Sequence, residues 1–143
     1  MSWKFYNAAG QEKRATVSAP SSVPIEAWHT DGAAGEPAFT NSWANLNSSY
    51  PAQFRKRPDD VVEMRGLVDG GLVNTSVFAL PAGYRPDSAN VDLWFSASSR
   101  TGASTYMLGG FWVRVADGFV TPVVIGDAFV SLACQFSTDQ TTF

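Results

Sequence analysis

The chain has 143 residues, 45% of them hydrophobic and 16% charged, which is one ordinary domain and enough length to bury roughly two-thirds of its unfolded surface without disulfides or metal. A net charge of -3 and a pI near 4.9 argue against a general nucleic-acid binder, and the apolar and aromatic content excludes a disordered tail. No apolar run approaches the roughly 20 residues of a membrane span, so no membrane insertion is expected.

Residues 3 to 14, beginning Trp3-Lys4-Phe5-Tyr6, read as a short hairpin-like segment turning at Ala9-Gly10. This opening lacks the apolar stretch of a signal peptide, so nothing marks the chain for secretion. Residues 15 to 26 form an extended linker, because Pro20 and Pro24 cannot be held in a helix interior. A short hairpin is marginal alone in water, which predicts that it folds onto something else. The expected organisation is therefore a segment 1–26 followed by a head domain 27–143.

From Trp28 onward the pattern is that of strands. Val91, Leu93 and Phe95 alternate with Asp92, Trp94 and Ser96, and Phe111, Val113 and Val115 alternate with Trp112, Arg114 and Ala116. Ala128, Val130, Leu132, Cys134 and Phe136 alternate with Phe129, Ser131, Ala133 and Gln135. Period two means pleated strands with one face inward. Turn formers separate the runs at Arg57-Pro58-Asp59-Asp60, Asp69-Gly70-Gly71, Pro81 to Pro86, Thr101-Gly102 and Asp117-Gly118, the last a strong hairpin signal. No stretch carries a sustained helical period. The expectation is an all-β antiparallel sandwich or barrel of seven to eight strands.

The chemistry-bearing residues are few. His29 is the only histidine, so two-histidine metal sites are impossible, and no GxSxG or other motif marks a nucleophile for it to activate. It reads as a structural residue beside Trp28. Cys134 falls on the apolar face of its strand and reads as core; alone, it can form no intramolecular disulfide. Asp59 and Asp60 follow Pro58 in a turn, where Asp is favoured for local hydrogen bonds. Arg55-Lys56-Arg57 is too short for a patch, since on a strand its charges point to alternate faces. Glycine phosphate loops are absent. No catalytic residue, metal or cofactor is expected.

Aromatics are the remaining class. If Leu93 and Phe95 face inward, Trp94 faces outward, and the same alternation turns Trp112 outward. Large aromatics on an outer face suggest a subunit interface or a ligand platform, sugar rings being one ligand that stacks on them.

The stretch Trp28-His29-Thr30, Ala33 to Phe39, Asn41 and Trp43 resembles the start of a β-rich module of tailed-bacteriophage fibre and minor tail proteins. Phe54-Arg55-Lys56 with Pro58-Asp59 matches that module's "FRK-x-PDG" turn, with Asp60 in place of its glycine. Gly66-Leu67-Val68 with Gly70-Gly71, then Val77-Phe78 with Leu80-Pro81-Ala82-Gly83-Tyr84-Arg85-Pro86, follow in step. Val113 to Gly118, Pro122-Val123 and Phe129 to Leu132 with Phe136 match its closing hairpin.

Such modules are similar to the C-terminal heads of phage receptor-binding proteins. The resemblance implies a β-sandwich or barrel on the virion surface, assembled in the bacterial cytoplasm, usually homotrimeric, and attaching the particle to a host glycan or protein receptor. Together with the outward placing of Trp94 and Trp112 it points to a subunit interface at those two residues, and it implies that Trp3, Phe5 and Tyr6 belong to a virion-attachment segment contacting other virion proteins. Only about 26 residues precede the head, which suggests a short fibre or appendage rather than a long shaft. A carbohydrate-binding module without virion attachment, or a decoration protein without receptor role, is the alternative. Receptor sites favour loops on a rigid scaffold. The candidates are Asp87 to Asn90, Gly126-Asp127 and above all Ser98 to Tyr106, where Arg100, Thr101, Ser104 and Tyr106 offer a cationic fork, hydroxyls and a ring. The segment Trp43 to Tyr50 is next in line.

Overall fold

Alternation of period two becomes two sheets that share one core. The computed structural model describes residues 5–6, 12–13, 23–87, 92–102, 104–123 and 129–138. Among them the strands are β1 (Phe5–Tyr6), β2 (Glu12–Lys13), β3 (His29–Thr30), β4 (Ala44–Asn45), β5 (Gln53–Lys56), β6 (Val61–Arg65), β7 (Leu67–Asp69), β8 (Phe78–Ala79), β9 (Leu93–Thr101), β10 (Thr105–Val113), β11 (Phe119–Pro122), β12 (Phe129–Ser131) and β13 (Cys134–Ser137). Eight of these have three or more residues, as the sequence pattern predicts; the five others are two-residue pairings too short to leave a period. No helix is present among the described residues.

β1 and β2 pair with each other in the backbone; Trp3 and the Ala9-Gly10 turn lie outside the described residues. The main sheets are antiparallel, with orders β4-β7-β12-β9-β10-β11-β8 and β13-β6-β5-β3. Phe54, Val62, Met64 and Phe136 of the smaller sheet and Val68, Phe78, Ala97, Phe111, Val113, Val120 and Val130 of the larger belong to one buried cluster. This is a sandwich with inward side chains from both sheets as its core.

The sequence reading of Ala128 to Phe136 as a single strand is corrected. β12 pairs with β7 and β9 in the larger sheet, the chain turns at Leu132-Ala133, and β13 pairs with β6 in the smaller. β6 makes the matching crossing into β7 at Gly66, and the Leu132 N–H donates to the Gly66 carbonyl at 3.0 Å. The alternation survives because both sheets face the same core: Val130, Leu132 and Phe136 are buried on either side of the bend. Cys134, between them, is half-buried against the core, and burial pushes its thiol up to about 12.

Turn chemistry follows the sequence. The Arg57–Asp60 turn is closed by Asp60 N–H to Arg57 O at 3.1 Å, and Asp60 has φ 59, the left-handed conformation that glycine adopts without strain. In the Leu80 to Pro86 segment Leu80 and Pro86 are buried, and Arg85 Nε donates to the Leu80 carbonyl at 2.9 Å.

Gly66 has φ 115, and a Cβ there would stand 2.3 Å from the Pro51 carbonyl oxygen. Gly66→Ala should therefore destabilise the fold by about 2–4 kcal/mol, combining a disallowed backbone conformation with a backbone clash. Asp60→Gly should be neutral or stabilising by up to about 1 kcal/mol. Urea unfolding of both variants checks this; a Gly66→Ala midpoint equal to wild type would refute the account of the corner.

Candidate functional site

The pairing of β9 with β10 sets one surface. Trp112 is the register partner of Trp94, Leu108 of Ser98, and Tyr106 of Arg100. Because Phe95, Ala97, Phe111 and Val113 turn inward, all of these stand on the outer face of the larger sheet. The two indoles stack at 5.5 Å with 17° between planes; Trp94 is 64% exposed and Trp112, beneath it, half-buried. Leu108 is 86% exposed. The Arg100 guanidinium lies 5.9 Å from the Tyr106 ring centroid, and Phe129 is the partner of Arg100 on its other side. Both sets of residues singled out in the sequence, Trp94 with Trp112 and Arg100 with Tyr106, thus share one face, roughly 20 Å apart along six strand residues.

The expected Ser98 to Tyr106 loop is not a loop. β9 runs to Thr101 and β10 starts at Thr105, so Arg100, Thr101 and Tyr106 are strand residues and only Ser104 lies in the connection, exposed. The serines mislead because they alternate: Ser96 and Ser98 face solvent while Ser99 is buried. Of the other candidate loops, residues 88–90 and 126–127 lie outside the described residues. Trp43 is buried, its indole N–H donating to Thr75 Oγ1 at 3.1 Å, so only the Tyr50 end of its segment offers a surface.

The outer face of the smaller sheet carries a polar ladder. Gln53 opposes Arg65 and Arg55 opposes Glu63 across β5 and β6. Arg65 donates from Nε at 2.9 Å and from Nη2 at 2.7 Å to Gln53 Oε1, while Gln53 Nε2 donates to Thr30 Oγ1 at 2.8 Å. Arg55 Nε donates to Glu63 Oε2 at 2.7 Å. The Trp28 ring bridges both cations, 4.3 Å from the Arg55 guanidinium and 3.9 Å from that of Arg65. Arg65 also lines an open groove of about 550 Å³ with Tyr50, Gly66, Leu67 and Ser131, beside the corner where the strands change sheets.

Sequence reasoning passed over this ladder, although its signal was present. Counting outward from the Pro58-Asp59-Asp60 turn places Gln53, Arg55, Glu63 and Arg65 on one face. Lys56 points the other way, over the Tyr84 ring at 5.5 Å, as alternation requires.

His29 joins residues far apart in the chain. Its ring stacks on Phe54 at 5.0 Å, Nδ1 lies 2.8 Å from Glu36 Oε1, and Nε2 lies 3.1 Å from Glu26 Oε1 and 3.2 Å from the Tyr84 hydroxyl. Tyr84 donates to Glu26, which also accepts the Lys56 backbone N–H at 2.7 Å. The last residue of the expected linker is thus bonded to the head. Hydrogen bonds to Glu36 and Glu26 raise the His29 pKa. Burial pushes Glu26 up, but bonds from Tyr84, Lys56 N–H and His29 outweigh it and hold the carboxyl below its ordinary range. Burial and the Glu26 bond push Tyr84 up to about 12. Next to this cluster Asp31 is 1% exposed, and neither carboxyl oxygen has a hydrogen-bond partner among the described residues. Burial, with the Glu36 charge adding, pushes Asp31 up to about 8.

No family model and no curated protein matches the chain. Among solved structures, the receptor binding protein (gp15) of Listeria phage PSA shares this fold with a TM-score of 0.59 at 18% identity, over 82% of this chain and 67% of that one.

The Asp31 carboxyl sets a pH dependence of stability. Its folded pKa lies above its unfolded one, so the folded state binds the extra proton, and stability falls as pH rises from about 4 towards about 8. The slope contributed by one proton is at most about 1.4 kcal/mol per pH unit. His29, also raised, acts in the same direction, its contribution full below its unfolded pKa and lost as pH rises through the folded one. Glu26, held low, contributes the opposite slope at the acid end, so the effect is read as a difference: relative to wild type, Asp31→Asn should gain stability steadily as pH rises from 4 to 6, before His29 begins to titrate. Urea midpoints across that range test it, and parallel curves for wild type and variant would refute it.

Proposed function

We propose that this chain is the head of a bacteriophage receptor-binding protein, displayed on the virion surface as a homotrimer. The observation that carries the reading is the fold shared over most of the chain with a phage protein described as a receptor binding protein. The ordered run of motifs from Trp28 to Phe136, read from the sequence alone, supports it independently. The reading is one of binding rather than catalysis. Both nitrogens of the one histidine are committed to Glu36 and to the Glu26–Tyr84 pair, in a cluster that ties the segment before β3 to the head.

The exposed Trp94–Trp112 stack with Leu108 is the apolar surface a monomer would leave in water, and burial between subunits is the use proposed for it. Arg100 and Tyr106 lie towards the far end of the same outer face, with exposed Ser104 in the connection, and are proposed to meet a host glycan or protein; Thr101 turns to the opposite face, where its hydroxyl donates to Met107 Sδ. Residues 1–26, with Trp3, Phe5 and Tyr6, are proposed to hold the head to other virion proteins.

Light scattering of the purified chain should give about three times 15.4 kDa, and Trp94→Ser with Trp112→Ser should give a folded monomer. A wild-type monomer would refute the trimer. A chain beginning at Ile25, which keeps Glu26, should fold and trimerise yet be missing from particles. In the decisive experiment, antibody to this chain labels intact particles and the purified protein competes with phage for host cells. Particles lacking the chain would refute the reading.

A further inference from the structure

We propose that the groove at the sheet corner binds an acidic saccharide, its sugar ring lying on Tyr50 and its anionic group meeting Arg65. The inference deepens the receptor-binding reading and rests on it only for the source of the ligand, a glycan of the host surface.

The groove is built rather than incidental. The Tyr50 ring is 59% exposed, but its backbone is fixed from both sides: its N–H donates to Asn47 Oδ1 at 3.2 Å, and its carbonyl accepts the Leu67 N–H at 3.0 Å. With its main chain pinned in this way, the Tyr50 ring has only its own two side-chain torsions to settle, and it offers an apolar face with a polar rim on which the C–H face of a pyranose packs. Arg65 is equally prepared. Gln53 accepts from Nε and from one N–H of Nη2, Trp28 covers the plane, and Gln53 is itself anchored by Thr30. A guanidinium has five N–H donors, so three remain for a ligand in the fork geometry that suits a carboxylate or phosphate.

Charge complementarity decides for an anion. Arg55, Lys56, Arg57 and Arg114 each have a carboxylate partner within 4.0 Å. Arg65, Arg85 and Arg100 have none among the described residues; of these three only Arg65 lines the groove, where its partners are an amide oxygen and a ring. In a chain of net charge -3 this leaves an oriented cation without a counter-ion at the lip of a groove. The rest of the lining joins the apolar surface of Pro51, Gly66 and Leu67 to the hydroxyls of Ser49 and Ser131, a mixture that matches the C–H face and hydroxyl rim of a sugar ring.

The test is an NMR titration of the full chain with glucuronic acid, glucose 6-phosphate, methyl glucoside and inorganic phosphate. Both acidic sugars should shift the Gly66 and Leu67 amides and the Trp28 indole saturably, at concentrations about tenfold below those needed for methyl glucoside or inorganic phosphate. Arg65→Gln should abolish the preference for acidic sugars, and Tyr50→Ala should weaken all the sugars, with thermal melting unchanged in both. Equal binding of neutral and acidic sugars, equal binding of inorganic phosphate and glucose 6-phosphate, or shifts confined to another surface would each overturn the proposal. The two readings fail separately. A Tyr50→Ala, Arg65→Gln protein that still competes with phage as well as wild type does overturns the groove and leaves receptor binding standing. Particles lacking the chain overturn receptor binding, whatever the titration shows.

Discussion

The close approach of Gly66 to the Pro51 carbonyl is the constraint on which the sandwich depends. Two antiparallel strand pairs, β6 with β13 and β7 with β12, are one long ribbon bent across the core, and the bend is at Gly66 on one strand and Leu132-Ala133 on the other. A side chain at position 66 would enter the backbone of Pro51 and Ala52 and push the segment leading into β5 away from the corner. Three elements are therefore positioned at once: the smaller sheet, the larger sheet, and the Asn47–Tyr50 turn that abuts them through the Leu67 N–H. The groove beside Tyr50 exists because the two sheets part company there.

The two outer faces differ in chemistry. The larger sheet shows solvent a tryptophan pair, a leucine and a tyrosine, surface that gains by being covered. The smaller shows guanidinium, amide and carboxylate groups bonded to one another, with Trp28 lying over two of the cations. Such a ladder keeps its hydration and holds its geometry, so it suits a wet, polar contact. Each face has one fixed character because alternation sends every second residue to it.

Much of this was legible in the sequence, for a local reason. The inward placing of Phe111 and Val113, the outward placing of Trp94, and the turns at Arg57–Asp60 and Asp117-Gly118 all follow from period two and turn chemistry, which act over a few residues. What was not legible depends on pairings distant in sequence. Nothing near His29 announces Tyr84, 55 residues away, and nothing in Ala128 to Phe136 announces a change of sheet, because the inward side chains keep their parity through the bend. The Ser98–Tyr106 segment looked like a loop on composition, whereas cross-strand pairing with a full-length partner made it strand.

The ends of the sheets have a colloidal consequence. Exposed strand edges template the addition of further strands, and a protein crowded against its own copies is the one most exposed to that hazard. Here three of the four terminal strands, β3, β4 and β8, are two residues long, and the long strands β9 and β10 lie in the middle of their sheet, paired with each other along their whole length. An incoming chain finds only a few backbone groups in register before the edge ends. The terminal edges thus offer little backbone to an added strand, leaving side-chain faces rather than those edges to decide what the fold touches.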